Sequence, residues 1–189
     1  GTRFEVPFFL FQGEHDVVTL TTLAEEYFEE VEAPTKGLAL IASGQCAAVI
    51  TGGAEAVLTE FCVGGFCAMH ALSTRNDEPE RASRPFCSDR DGFVIAEAAA
   101  VLILEELEAA KRRGARIYAE VRGYGRSCDA HHITAPHPEG RGVMQALRGA
   151  LASAEVSADQ IGHVNAHATS TPAGDVGEAR AIREILGPN

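Results

Sequence analysis

A strand-like run that passes directly into a capped helix constrains the fold of this chain more than any other feature. Residues 161–168, IGHVNAHA, have the composition and patterning of a short strand. The following TPAGDVGEARAIREILG offers Thr171 as a helix cap and Pro172 as the first helical residue, and Gly187 ends the pattern. His167 therefore stands at a strand-to-helix junction, where functional groups gather in open α/β sheets.

The same alternation of strand-like and helix-like runs continues upstream. Residues 47–56, AAVITGGAEA, predict a strand closed by a turn at Gly52 and Gly53. Residues 93–115 predict a strand-like run followed by a helix that stops near Gly114. A further strand is predicted over 116–127 and a further helix over 141–156. Residues 72–92 are polar and turn-rich, which predicts a long loop. Together these runs predict an α/β fold with a mainly parallel sheet.

Composition excludes several classes of function. The net charge of −11 over 189 residues argues against nucleic acid as a partner, because the phosphate backbone needs clustered Lys and Arg. No run of roughly 18 apolar residues exists, so no membrane span is expected, and the first residues do not resemble a signal peptide. The five cysteines form no CxxC pair, which predicts reduced thiols and a cytoplasmic location rather than a disulfide framework.

The residues around His167 predict a polar site. Thr169 and Thr171 place hydroxyls at alternate positions that can face the same way, and Asp175 and Glu178 follow one helical turn apart. The alternative is a core histidine satisfied by backbone groups, and the residues alone leave both interpretations open. No HExxH or H-x₃-H pattern occurs, so no metal site is expected.

From about Ser43 to Gly187 the chain closely resembles the elongating β-ketoacyl-acyl carrier protein synthases of type II fatty-acid or polyketide synthesis. The resemblance lies in six stretches in family order: SGQCAAVITGGAEA, ALSTRNDEPERASRPF, DRDGFV, LEELEAAKRRGARIYAEVRGYGRS, DAHHITAP and VNAHATSTPAGDVGEA. It implies a partial thiolase-like fold, in which α/β halves form α/β/α layers, and an assembly that is a homodimer or a pair with another ketosynthase subunit.

The resemblance also implies a reaction, the decarboxylative Claisen condensation of malonyl-carrier protein with an acyl thioester. His167 would assist decarboxylation and stabilise the developing enolate, because a fixed imidazole N–H stabilises charge on oxygen without reorganisation. Thr169 and Thr171 would hydrogen-bond the amides of the pantetheine arm, and Asp175 and Glu178 would support the network. The partner would be acyl carrier protein, with its phosphopantetheine as substrate arm and no further cofactor.

Three positions depart from the family pattern. Ala168 stands where a glycine usually follows the catalytic histidine, and residues 96–98 read AEA where GEG is usual. Cys87 stands where an Asp usually follows RPF, which removes a hydrogen-bond acceptor.

The family's nucleophilic cysteine lies in a motif such as A-C-x-x-G before the position of Ser43, and no cysteine precedes Cys46. The family's second histidine and its lysine would follow the last residue of this chain. A ketosynthase needs a thiolate to carry the acyl chain. The chain is therefore expected to be inactive in condensation and to form no acyl-enzyme.

Residues 1–42 resemble a late segment of an α/β-hydrolase, most like proline iminopeptidase relatives. They predict a strand, a turn and a helix, and the resemblance places the triad acid at Asp16. The simpler alternative is a strand–helix with an exposed Asp. No G-x-S-x-G elbow occurs, so Asp16 has no triad to orient. The sequence thus resembles two incomplete enzymes joined near residues 38–45, with a hydrolase-like segment at 1–42 and a partial ketosynthase domain at 43–189. A covalent chimera, two segments with residues missing between them, and an unusual natural sequence all remain open as explanations.

Two other functions remain open at this point. One is a non-catalytic thiolase-fold partner of the chain-length-factor kind, which retention of His167, Thr169 and Thr171 argues against. The other is an α/β-hydrolase or aminopeptidase fragment, which would depend on Asp16 alone. A partial thiolase fold would also expose sheet edge and apolar surface, so self-association is expected.

Overall fold

The computed structural model describes residues 41, 44–132 and 134–187. The predicted strand, turn and helix of residues 1–42, with Asp16, lie outside the described residues apart from residue 41. Within the described part the chain divides into two compact units, one containing 44–56 and 97–120 and the other 57–96 and 121–187. No helix in the described part is long and apolar enough to cross a membrane.

The first unit is built on a two-stranded antiparallel sheet of β1 (Ala48–Glu55) and β2 (Ala98–Glu105). The register pairs Ala48 with Glu105 and Glu55 with Ala98. Both strands were predicted, but the turn at Gly52 and Gly53 was wrong, since both glycines lie inside β1. A Cβ on Gly52 would overlap the Ala100 carbonyl. The glycine at this position therefore allows the two strands to approach closely and does not form a turn.

The sheet leads into a short helix, α2 (Leu107–Arg112), numbered after α1 of the second unit. The Glu106 side chain caps it by accepting the N–H groups of Glu108 at 2.9 Å and Ala109 at 2.7 Å. A turn with Gly114 at φ 69° follows the helix, as predicted. Apolar side chains of the sheet remain open to solvent: Ile50 is 66% exposed and Ile103 is 70% exposed. Such a surface favours the predicted self-association.

The second unit contains the remaining helices. They are α1 (Glu60–Ala68), α3 (Arg141–Ala154) and α4 (Pro172–Leu186), with 3₁₀ turns at Pro79–Arg81 and Ala158–Gln160. The predicted loop at 72–92 is confirmed, apart from the first of these turns. Helix α3 packs on α4, and most buried residues of the two helices are small, including Ala150 and Ala181. Small side chains allow close approach, which brings the start of α4 into a fixed position.

Two predicted strands do not form among the described residues. Residues 116–127 and 161–168 form no strand. The two-stranded sheet of β1 and β2 is antiparallel, so the prediction of a mainly parallel sheet was wrong for the described residues. In the first of these runs the backbone at Gly125 lies against α3, since a Cβ on Gly125 would overlap backbone atoms of Ala146 and Ala150. The second run turns at its end, where its amides bind a side chain rather than a neighbouring strand.

Candidate functional site

The junction predicted from the sequence is a tight turn, residues 167–171, that leads into α4. Thr171 is the N-cap of α4, and its Oγ1 accepts the N–H of Gly174 at 3.1 Å. Pro172 occupies the first helical position, where a missing N–H costs nothing. The cap, the proline and the helix end at Gly187 are confirmed. Local sequence signals therefore fix where the turn stops and the helix starts.

The two threonine hydroxyls of the turn lie together. Thr169 Oγ1 and Thr171 Oγ1 are 2.9 Å apart, within hydrogen-bond distance, and both side chains are half-buried. Ser170, between them, is fully buried. The prediction that alternate hydroxyls face the same way is therefore confirmed. A hydroxyl can donate and accept a hydrogen bond, so groups of this kind suit the N–H and C=O of an amide once they exchange a partner within the turn for the ligand.

Glu178 holds the backbone at the start of the turn. Its Oε1 accepts the N–H of His167 at 2.6 Å, and its Oε2 accepts the N–H of Ala168 at 2.8 Å. Both oxygens of one carboxylate thus bind two consecutive amides, and charge-assisted bonds of this kind are the stronger ones. The backbone of His167 is therefore fixed from α4, while its side chain stays exposed.

Asp175 lies in α4, three residues before Glu178, and binds the middle of the 167–171 turn. Its side chain is 1% exposed, and its Oδ1 accepts the N–H of Ser170 at 3.0 Å and the hydroxyl of Thr169 at 3.4 Å. Its Oδ2 accepts the N–H of Phe86 at 2.7 Å. The carboxylate also lies in the first turn of α4, where the helix dipole favours negative charge. The predicted polar network of Asp175 and Glu178 is present as geometry.

The backbone of the turn is left-handed at two residues. Ala168 has φ 49° and Ser170 has φ 66°, a region that non-glycine residues rarely adopt. Ala168 is the residue that stands where the family usually has glycine, and its conformation explains that preference, since glycine adopts it without steric cost. The two carboxylates of α4 hold the strained backbone in place.

The structure brings together five of the six predicted site residues: His167, Thr169, Thr171, Asp175 and Glu178. Asp16 lies outside the described residues. Sequence reasoning missed Ser170 as the buried centre of the turn and missed the segment 84–92 as its neighbour. The stretches SRPF and DRDGFV pointed to this segment as family-like, but no local pattern placed it against α4.

Three other histidines of the second unit, at positions 131, 132 and 137, lie in a separate loop. The rings of His131 and His137 lie 4.8 Å apart, and His132 Nδ1 accepts the N–H of Thr134 at 3.1 Å. The backbone N–H groups of His137 and His131 hold the pKa of the Asp129 carboxyl below its ordinary value. In the described part of the chain no three His, Cys, Asp or Glu side chains are grouped so as to hold a metal ion.

Two sequence profiles of one family match this chain. The Beta-ketoacyl synthase N-terminal domain matches residues 35–110, and the Beta-ketoacyl synthase C-terminal domain matches residues 118–189. The chain belongs to the β-ketoacyl synthase family. The second match contains the whole 167–171 turn, and the first begins ahead of the join predicted at 38–45. The domain division at residue 42 itself stays a prediction.

Individual relatives agree with this assignment. The 3-oxoacyl-acyl-carrier-protein synthase 2 of Vibrio cholerae is 53% identical over 148 residues, which are 78% of this chain and 36% of that protein. The chain thus spans little more than a third of this curated relative.

Two solved ketosynthase complexes share the fold. A type II polyketide synthase acyl-carrier protein in complex with its ketosynthase bound to the hexaketide matches with a TM-score of 0.80 at 38% identity, over 82% of this chain and 38% of that chain. A ketosynthase in complex with its chain length factor from Xenorhabdus doucetiae matches with a TM-score of 0.68 at 35% identity, over 82% and 35%. The predicted α/β, thiolase-like fold class is confirmed by these matches.

Proposed function

We propose that this chain is the part of an elongating β-ketoacyl synthase that receives the phosphopantetheine arm of an acyl carrier protein. The observation that carries the proposal is the pair of threonine hydroxyls 2.9 Å apart on a turn that two carboxylates hold. An arm with two amide groups needs donors and acceptors in fixed places, and a strained, fully bonded turn provides them without reorganisation. The resemblance of sequence and fold supports this substrate, as does the carrier-protein complex among the similar structures.

His167 would act on the malonyl unit that the arm delivers. In decarboxylation the C–C bond to the carboxylate breaks, its electron pair forms an enolate whose charge rests on the thioester oxygen, and CO₂ leaves. A neutral imidazole whose backbone is fixed by Glu178 can donate an N–H to that oxygen as the charge develops. The enolate carbon then attacks an acyl thioester, which forms the new C–C bond and expels the thiolate.

The acyl-transfer half of the reaction needs a nucleophilic thiolate. The five cysteines of this chain do not lie in the family's motif, so we propose that this chain alone carries no acyl group. Intact mass after incubation with an acyl-carrier protein tests this statement. An unchanged mass is expected, and a stable acyl adduct on any cysteine would overturn it.

We also expect this chain to pair with a further ketosynthase subunit or with a second copy of itself; of the two, only a further subunit could supply the missing thiolate. The exposed apolar side chains of β1 and β2 and the ketosynthase–chain length factor complex among the similar structures support such pairing. Light scattering measures it directly. A particle mass above that of one chain is expected, and a monomer at high concentration would contradict it.

The arm proposal is tested by comparing holo-carrier with apo-carrier protein, which differ only in the phosphopantetheine. Calorimetric titration of this chain should give tighter binding to the holo form. Thr169→Val keeps the side-chain volume and removes the hydroxyl, so it should lower the holo-over-apo ratio of affinities by roughly five- to tenfold, as expected for one or two lost hydrogen bonds.

The matched control is Thr59→Val. Thr59 is the N-cap of α1, and its hydroxyl accepts the N–H of Cys62 at 3.3 Å. It is a half-satisfied hydroxyl of the same kind that is not part of the 167–171 turn. The control should leave the ratio unchanged. Equal affinity of the parent chain for holo and apo forms would refute the proposed function.

A further inference from the structure

The segment 84–92 contacts both the 167–171 turn and Asp175 of α4. Its backbone contributes three N–H donors: Arg84 to Ser170 Oγ at 3.1 Å, Phe86 to Asp175 Oδ2 at 2.7 Å, and Gly92 to Ser170 O at 3.1 Å. Ser170 is fully buried, so these contacts occur out of water, where each bond is least easily replaced.

One side chain of the same segment reaches furthest into the turn. The Arg90 guanidinium donates from Nε to Thr171 O at 3.0 Å, from Nη2 to Pro172 O at 2.8 Å and from Nη1 to Cys87 O at 2.7 Å. Its Nε also lies 3.4 Å from Asp175 Oδ2, and the side chain is 13% exposed. All three guanidinium nitrogens are therefore used, and two of them bind carbonyls at the start of α4.

We propose that Arg90 is a positioning residue that sets the spacing of the Thr169 and Thr171 hydroxyls by clamping the segment 84–92 to the carbonyls of Thr171 and Pro172. Thr171 has to serve as helix cap and as half of the hydroxyl pair at once. The Arg90 guanidinium binds the carbonyl of Thr171. The preceding residue, Ser170, is buried and is held by Arg84 and Asp175. The hydroxyls on either side of Ser170 then keep one separation.

The planar fork is the property that this role requires. A lysine would keep the positive charge beside Asp175, but it presents a single ammonium group and cannot bind three carbonyls in one plane. A role limited to neutralising Asp175 would be met by either residue. Arg90→Lys therefore separates positioning of the turn from charge balance.

The inference rests on the proposed function and is tested with the same probe, apo- and holo-acyl carrier protein titrated into the full chain. Arg90→Lys should lower the holo-over-apo affinity ratio about tenfold while affinity for the apo form stays at the parent value. Arg81→Lys is the matched control, because Arg81 lies in the same loop with a 72% exposed side chain and pairs only loosely with Glu78 at 3.7 Å. The control should keep the parent ratio.

Circular dichroism of Arg90→Lys shows whether the variant is folded. If it is not folded, Arg90→Gln takes its place, since its planar amide keeps one nitrogen donor but lacks the three-nitrogen fork, and it should also lower the ratio. A folded variant with the parent ratio overturns the positioning role. A parent chain that binds holo and apo forms equally overturns the proposed function instead, so the two failures are distinguishable.

Discussion

Replacing Asp175 by Asn is the perturbation that the site should tolerate least. The carboxylate is 1% exposed and accepts the N–H groups of Phe86 and Ser170 on its two oxygens, with Arg90 Nε 3.4 Å away. An amide has the same shape but only one acceptor oxygen. Whichever way it turns, its NH₂ group faces a backbone N–H, and one buried donor is left without an acceptor.

The expected cost follows from these contacts. Losing a charge-assisted bond costs about 1.5–3 kcal/mol, and leaving a buried donor unpaired costs about 1–3 kcal/mol. The Arg90 charge also loses its partner, and breaking such a buried pair is typically worth about 3–5 kcal/mol in total. We therefore expect Asp175→Asn to destabilise the turn by about 3–5 kcal/mol, which is roughly two to three and a half orders of magnitude in a local opening equilibrium.

Amide hydrogen exchange measures this directly at Phe86 and Ser170. Both amides should exchange roughly a hundredfold to a few thousandfold faster in Asp175→Asn. Asp159→Asn, an exposed change in the 3₁₀ turn Ala158–Gln160, is the control and should alter neither amide. If both amides in Asp175→Asn stayed within about threefold of the parent rate, the carboxylate would not be their acceptor and the account of the turn would be refuted.

Three further predictions concern stability, each measured by urea unfolding. Ala168→Gly should raise the free energy of unfolding by about 0.5–1 kcal/mol, because relief of the left-handed backbone at Ala168 (φ 49°) outweighs the added entropy of the unfolded chain. Ala173→Gly, inside α4, should lower it, and a change of the same sign in both variants would contradict this reasoning. Two backbone N–H groups lower the pKa of Asp129, so the stability that its carboxylate contributes is present above about pH 3.9 and is lost as pH falls through the lowered pKa. Asp129→Asn should therefore reduce the loss of stability at acid pH, and an unchanged loss would contradict this role. Gly125→Ala should cost about 2–3 kcal/mol because its Cβ would overlap backbone of α3, whereas Gly162→Ala, with nothing within 4 Å, should cost little; similar costs would contradict the close packing.

The parts of the site that follow from neighbouring residues could be predicted from the sequence. Thr171, Pro172 and Gly187 determine the ends of α4 by capping rules that need no tertiary information. The facing threonines follow from their alternate positions, and the two carboxylates follow from helical spacing. Each of these relations spans fewer than a dozen residues.

The parts that depend on distant contacts could not be predicted. The bond from Phe86 to Asp175 joins residues 89 positions apart, and no local pattern in SRPF indicates its partner. The strand expected at 161–168 was wrong because a strand needs a neighbour, while Glu178 takes the amides of His167 and Ala168. The turn predicted at Gly52 was wrong because the sequence does not show how closely Ala100 approaches this glycine.

Amide NMR of this chain with apo- and with holo-acyl carrier protein tests whether the 167–171 turn receives the phosphopantetheine arm. Signals of His167, Thr169, Ser170 and Thr171 should shift with the holo form and not with the apo form. Identical shifts for both forms, or holo-specific shifts confined to residues away from the turn and the segment 84–92, would contradict it.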